Sequence, residues 1–334
     1  MASKVAFTVL GAGSWGTALA NMLAGNGCPT TLWGHDAEHI KNISANRYNP
    51  EFLPNVKLSD ELRFGSELNA VLNEDAVVLV VVPSGVFADV LRQVKSAQPT
   101  IRRIAWATKG LEDHSYRLLH EVAMECLGPS LHYAVLSGPN FAGEVARKQP
   151  TATTIASNHL PFAEELVSAF HNAWFRPYSS EDVIGVQLGG ALKNALAIAA
   201  GISDGLGFGA NARAALLTRG LAEIMRLALT LGAQPETFMG LAGIGDLMLT
   251  CTDNQSRNRR LGLLLAAGHP LAKAEAEIGQ TVEGIKTAHA AHSLAQKHNV
   301  EMPIVEQVYR VLYEQCPPQE AVVALLQRDP KSEH

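Results

Sequence analysis

Val5-Ala-Phe-Thr-Val-Leu10-Gly11-Ala12-Gly13-Ser14-Trp15-Gly16 is the stretch that decides the fold. Val5 to Leu10 is β-rich, and Thr17 to Ala24 reads as a helix. Between them stands a G-x-G-x-x-G, a pattern that is weak alone and informative between a strand and a helix. Gly11 allows the tight turn, Gly13 lets the backbone approach a pyrophosphate, and Gly16 permits close helix–strand packing. The helix N-terminus turns N–H groups and a positive dipole end towards the phosphates. The turn therefore reads as a dinucleotide site. The bland alternative is an ordinary glycine turn before a helix.

Working outward, Gly25-Asn26-Gly27 ends the helix and Pro29 to Trp33 reads as a second strand. Ala76 to Val82 is continuously apolar; Arg103 to Ala107 and Tyr133 to Leu136 are weaker runs of the same kind. Runs apolar on both faces, separated by helical or polar stretches, imply a parallel sheet covered on both sides. Past residue 180, after a weak strand around Trp174 to Tyr178, helical periodicity takes over. Asp182 to Ala200, Arg213 to Leu231, Pro270 to Ile278 and Ile285 to His298 are the helices expected there. The expected architecture is α/β. A Rossmann-like, doubly wound parallel sheet occupies residues 1–180, and an all-α domain occupies 181–334.

Composition narrows the function. Hydrophobic residues make up 47% and charged residues 18%, which is globular and excludes a disordered chain. The net charge is −5, against a nucleic-acid-coating or polybasic membrane protein. Cys28, Cys126, Cys251 and Cys316 form no C-x-x-C pair, so a reduced, cytoplasmic chain is expected. No continuous apolar run reaches the roughly 18 residues of a membrane span. The N-terminal apolar stretch leads into the glycine turn and not into a signal-peptidase site.

Ligands of open parallel sheets bind beyond the carboxyl ends of the strands. The second run ends in Leu32-Trp33-Gly34-His35-Asp36. An acid about 20 residues past the glycines marks NAD specificity. Here Gly34-His35 occupies the tip and Asp36 falls in the loop, so NADP is expected in preference to NAD, with His35 donating to a 2′-phosphate. Lys109 is the one charge among the other tips, either a solvated loop lysine or an anion ligand.

In the helical half, Lys193-Asn194 interrupts an apolar helix. Lys193 lies on the stripe Gly185, Gly189, Lys193, Ala197. It either snorkels to solvent or points into a site suited to proton transfer. Asp246 stands between glycines and an apolar run, so it needs a partner: a lysine, a hydroxyl or a helix N-terminus. Ser256-Arg257-Asn258-Arg259-Arg260 is either a basic helix start or an anion site with Arg257 bidentate on a phosphate. Neither H-E-x-x-H nor a Walker loop occurs, there is no G-x-S-x-G elbow of strand, turn and helix, and the scattered histidines suggest no metal.

Taken together, these segments resemble the soluble bacterial type of NAD(P)-dependent sn-glycerol-3-phosphate dehydrogenases. The matching stretches are GAGSWGTALA (Gly11–Ala20), LWGHD (Leu32–Asp36), VVVPS (Val80–Ser84), WATKGLE (Trp106–Glu112) and SGPNFAGE (Ser137–Glu144). GVQLGGALKNALAIAAGISDGLGFGANARAALLTRGLAE (Gly185–Glu223), LAGIGDLMLTCTDNQSRNRR (Leu241–Arg260) and VEG (Val282–Gly284) follow in order. The resemblance covers nearly the whole chain and implies a 6-phosphogluconate-dehydrogenase-like second domain.

It also implies roles residue by residue. Gly11, Gly13, Ser14, Trp15, Gly16 and His35 match cofactor positions, as do Ala142 and the late segment Val282-Glu283. Lys109 matches a residue on both cofactor and substrate. Gly138 and Asn140 match substrate positions, although Asn140 departs from the hydroxyl residue often found there. Lys193 matches the catalytic proton donor. Asn194, Asp246, Thr250, Ser256, Arg257 and Asn258 match the substrate pocket, with Arg257 also reaching the cofactor.

The implied reaction interconverts dihydroxyacetone phosphate and sn-glycerol 3-phosphate with NAD(P)H, feeding glycerophospholipid synthesis, and the implied assembly is a homodimer. Two other readings compete. One is a hydroxyacyl-CoA or β-hydroxyacid dehydrogenase, disfavoured by the absence of a clear His/Glu pair. The other is a dinucleotide sensor, which cofactor binding without turnover would favour.

Overall fold

The structure is a computed structural model and describes residues 4–329 and 332. Phe7–Leu10 (β1), Thr30–Trp33 (β2), Arg63–Gly65 (β3), Val77–Val80 (β4), Arg103–Trp106 (β5), His132–Ser137 (β6), Thr151–Ser157 (β7) and Phe175–Ser180 (β8) form one sheet. Its order is β3-β2-β1-β4-β5-β6-β7-β8. β1 and β4 are buried at every position, as parallel strands covered on both faces must be. Val9, Leu32, Leu79 and Ala105 pack with Leu19 and Leu23 of the helix Ser14–Gly25 and with Leu166 and Phe170 of Leu160–Phe170. Leu10 is in register with Trp33 on one side and Val80 on the other. The tips of β1, β2 and β4 thus end level, and their turns open at one edge.

Two strands carry no apolar run and escape the sequence reading: β3, with only three residues, and the threonine-rich β7. β7 also departs from the expected parallel pattern, running antiparallel to β6 and parallel to β8. The cause is the link between β6 and β7. It holds only the helix Ala142–Ala146. At 1.5 Å per residue that helix spans about 7.5 Å, too little to return along a strand of about 20 Å. The chain therefore re-enters the sheet from the edge at which it left.

The chain divides into two compact units, Met1–Gln187 and Leu188–His334. The division falls inside the helix Val183–Gly205. That helix begins within the first unit, where Gln187 Oε1 accepts from the His120 N–H at 3.2 Å. It is long and apolar enough to cross a membrane, yet most of its apolar window is buried in protein, so it is a core helix. Gln187, Lys193 and Asn194 break its apolar run, which is why no continuous run betrayed it. The second unit is helical, built from Ala210–Thr230, Asp246–Thr252, Arg257–Ala266, Leu271–Ile278, Glu283–Lys297, Pro303–Tyr313 and Pro318–Leu326. Its core sets Ala195, Ile198 and Ile202 against Leu261, Leu265, Val308 and Leu312.

Candidate functional site

The first unit offers a phosphate cradle at the tip of β1. Gly11 has φ +122°, and a Cβ there would lie 2.2 Å from the Val81 carbonyl oxygen. At Gly13 a Cβ would meet nothing within 4 Å, so the turn is open where a ligand must approach. Ser14 begins the helix, and Gly13 precedes it with no side-chain cap. Its first N–H groups suit a pyrophosphate. Trp15 packs against the core beside Ala18.

Asn49, which the sequence reading passed over, braces this turn. It is fully buried and donates to Ala12 O and to Thr17 Oγ1, both at 2.9 Å. A loop asparagine carries no sequence signal for the carbonyl it will meet.

At the tip of β2, Gly34 is buried and His35 exposed. Asp36 Oδ1 accepts from the N–H groups of Glu38 and His39 at 2.9 and 3.0 Å, capping Ala37–Asn46. The His39 N–H holds this carboxyl below the ordinary aspartate range. Asp36 is thus committed to a helix cap. At the tip of β5, Lys109 Nζ donates to Gly138 O at 3.2 Å, and Thr108 Oγ1 donates to Val82 O at 2.8 Å. Asn140 donates to Ala152 O at 2.8 Å, fastening the β6 turn to β7. Ala142 packs against Ala18, Leu53 and Val56.

The second unit holds a buried lysine–aspartate pair. Lys193 is 5% exposed and Asp246 1%. Lys193 Nζ donates to Asp246 Oδ1, and to Thr250 Oγ1 at 2.7 Å. Thr250 Oγ1 in turn donates to Asp246 O at 2.7 Å. Lys193 therefore turns inward and does not snorkel to solvent, and a lysine is the partner of Asp246. The small-residue stripe explains the approach. A Cβ on Gly189 would lie 2.4 Å from Ala242 O, so the turn Leu241–Gly245 that launches Asp246 lies directly on the helix. Cys251 beside them is fully buried, and burial pushes its thiol up to about 12, so it stays protonated.

Asn194 and Asn258 are joined: Asn258 Nδ2 donates to Asn194 Oδ1 at 2.9 Å, and Asn258 Oδ1 accepts from Gly284 N at 2.9 Å. Ser256 caps the helix Arg257–Ala266, its Oγ accepting from Arg259 N. Arg257 is partly buried, which pushes its guanidinium below its ordinary value against the pull of Glu283. Its Nη1 reaches Gln280 Oε1 at 3.5 Å. Val282 is buried in the helical core beside Ala195 and Ile198, so a ligand can meet only its backbone. Glu283 opens the next helix.

With this geometry in hand, the chain matches two family models. They are the NAD-dependent glycerol-3-phosphate dehydrogenase N-terminus over residues 6–163 and C-terminus over 182–323. It is 55% identical over 334 residues to a glycerol-3-phosphate dehydrogenase [NAD(P)+] of Aeromonas hydrophila, covering 100% of both chains. It is 55% identical over 327 residues to the protein of that name from Methylococcus capsulatus, covering 98% of each. Among solved structures it is similar to a glycerol-3-phosphate dehydrogenase from Coxiella burnetii. The TM-score is 0.93 and the identity 49%, over 97% of this chain and 99% of that one.

Proposed function

The chain belongs to the NAD-dependent glycerol-3-phosphate dehydrogenase family, and from that premise we propose how its own residues run the reaction. It is an NAD(P)-dependent oxidoreductase that interconverts dihydroxyacetone phosphate and sn-glycerol 3-phosphate, a product used in glycerophospholipid synthesis. Residues 1–180 take the dinucleotide and residues 181–334 the substrate.

The observation that carries the residue roles is the buried Lys193–Asp246–Thr250 set. The reduced nicotinamide, when bound, supplies the hydride for the ketone carbon. Lys193 gives its proton to the developing alkoxide, while Asp246 and Thr250 hold the ammonium in position. Asn194 stabilises the same oxygen, and Lys109 is a further contact to substrate and cofactor.

Arg257 holds the phosphate, and the Ser256 hydroxyl, which accepts from Arg259 N, keeps its proton to donate there. Asn258 gives one amide N–H to Asn194 and accepts from Gly284 N, which holds it at this helix start with its second N–H left to donate to the substrate. Gly138 and Asn140 shape the substrate side. Gly11, Gly13, Ser14, Trp15 and Gly16 cradle the pyrophosphate, with Ala142, Val282, Glu283 and Arg257 as further cofactor contacts.

NADP is preferred over NAD, because Asp36 is occupied as a helix cap and His35 stands exposed at the tip. The enzyme works as a homodimer in the cytoplasm and needs no membrane insertion. The test is oxidation of NADPH, and separately NADH, with dihydroxyacetone phosphate, and unphosphorylated dihydroxyacetone as control. Turnover that needs the phosphate and runs faster with NADPH supports the reading. Cofactor binding without turnover rejects the residue roles, and equal rates reject that of His35. Sedimentation of the purified protein checks the dimer.

A further inference from the structure

Resting on the reading that Lys193 carries the proton and Arg257 the phosphate, a second buried ion pair in the helical unit gains a role. Arg259 is 8% exposed. Its Nη1 donates to Asp204 Oδ2 at 2.5 Å and to Cys251 O at 3.1 Å, and its Nε donates to Asn254 Oδ1 at 3.0 Å. Each partner belongs to a different piece of the machinery. Asp204 lies near the end of the helix that carries Lys193. Cys251 directly follows Thr250, whose hydroxyl accepts from Lys193. Asn254 lies in the turn leading to Ser256 and Arg257. The two helices are pressed together here: a Cβ on Gly201 would lie 2.1 Å from Arg259 O, and one on Gly262 2.2 Å from Ile198 O.

Stability alone explains this poorly. A buried ion pair is a weak source of net stability compared with well-packed apolar residues. Asp204 takes both Arg259 and Arg213 on Oδ2, at 2.5 and 2.7 Å, while its Oδ1 is buried without a hydrogen-bond partner. What the arrangement does supply is direction. A planar fork with several fixed donors ties three segments at set angles, which an ammonium cannot do.

We propose that Arg259 is a positioning residue that locks the phosphate anchor Ser256–Arg257–Asn258 to the proton-handling set Lys193–Asp246–Thr250. With the lock in place, a substrate held by its phosphate presents its carbonyl oxygen at a fixed distance from Lys193. Small misplacements of this kind cost about 10²-fold in rate.

The test compares the wild-type enzyme with Arg259→Lys, Arg259→Ala and Asp204→Asn, the last keeping side-chain volume if the arginine variants fold poorly. Steady-state kinetics with dihydroxyacetone phosphate are measured alongside NADPH-binding stoichiometry, which counts folded sites. The expected result is unchanged NADPH binding per folded site. KM for dihydroxyacetone phosphate rises and kcat falls together, so that kcat/KM drops by about 10²-fold. Added guanidinium ion restores Arg259→Ala towards wild type and leaves Lys193→Ala unrestored. A merely structural arginine would give unchanged KM and a loss of kcat that tracks the lost folded fraction; that outcome, or no loss at all, overturns the proposal. Failure of the underlying reading shows separately, as a wild-type enzyme that binds NADPH and does not reduce dihydroxyacetone phosphate.

Discussion

Lys193 is a cation in a helix whose neighbours are apolar and small, and its partners decide what can be removed cleanly. General acid catalysis is worth about 10²–10⁴-fold. Lys193→Ala is therefore expected to lower kcat by that order while NADPH affinity, measured by fluorescence titration, stays unchanged. The single change also strands Asp246, 1% exposed, without its cation. Breaking a buried pair from one side costs about 3–5 kcal/mol. Pairing Lys193→Met with Asp246→Asn should recover melting temperature without recovering turnover; near-wild-type turnover in either background would remove Lys193 from the chemistry. Arg257 predicts the opposite split. Arg257→Ala should raise KM for dihydroxyacetone phosphate and leave kcat at saturation much less affected, and an unchanged KM would move the phosphate site elsewhere. Both residues were legible in the sequence, because a charge in an apolar stripe or an arginine cluster in an acidic chain is anomalous. That Arg259 is buried and Arg257 only half-buried was not. They lie two positions apart, about 200° around a helix, and only the tertiary partners Asp204 and Asn254 decide which one is buried.

At the scale of elements, the glycines do the aligning. The turn Leu241–Gly245 can lie on the Lys193 helix only because Gly189 presents no Cβ to Ala242 O, 2.4 Å from where that atom would be. Gly189→Ala must push the turn away, and overpacking of this kind costs about 1–3 kcal/mol. Since the turn launches Asp246, kcat should fall as well, although no reacting group has changed. A variant that loses melting temperature but keeps full kcat would show that the turn shifts without carrying Asp246. The elements themselves were readable where composition and position agree. β1, β4 and the helix around Lys193 are apolar for the same reason that they are central. β3 and β7 were unreadable because a short edge strand and the threonine-rich TATTIAS carry little apolar signal. The reversal of β7 depended on the length of its link, which no residue type announces.

Across the whole molecule, the change from sheet to helices was visible as a change of period, from buried runs to residues returning every three or four positions. The contacts that fasten the helical unit were less visible. Glu223, on the helix Ala210–Thr230, is 2% exposed and accepts from the Ile304 N–H at 2.9 Å and the Val305 N–H at 3.3 Å, the first turn of Pro303–Tyr313. Nothing in its neighbourhood of sequence distinguishes it from a surface glutamate. Burial pushes its carboxyl from 4.5 up to about 7, against the pull of those two N–H groups. The sign of the linkage follows. The folded chain holds this proton more tightly than the unfolded chain, so stability is highest below the unfolded value. It falls as pH rises between the two values, and levels off above about 7. At 1.36 kcal/mol per pKa unit the full change is about 3 kcal/mol. Glu223→Gln keeps an oxygen for Ile304 N and has no charge to bury. Its melting temperature should therefore exceed that of the wild type most at pH 8, with the gap closing towards pH 5. Parallel melting curves for the two proteins across that range would show that Glu223 does not titrate on unfolding. A wild type that loses ground to the variant only as pH falls below about 4.5 would show that the two N–H groups outweigh burial and hold it as a carboxylate.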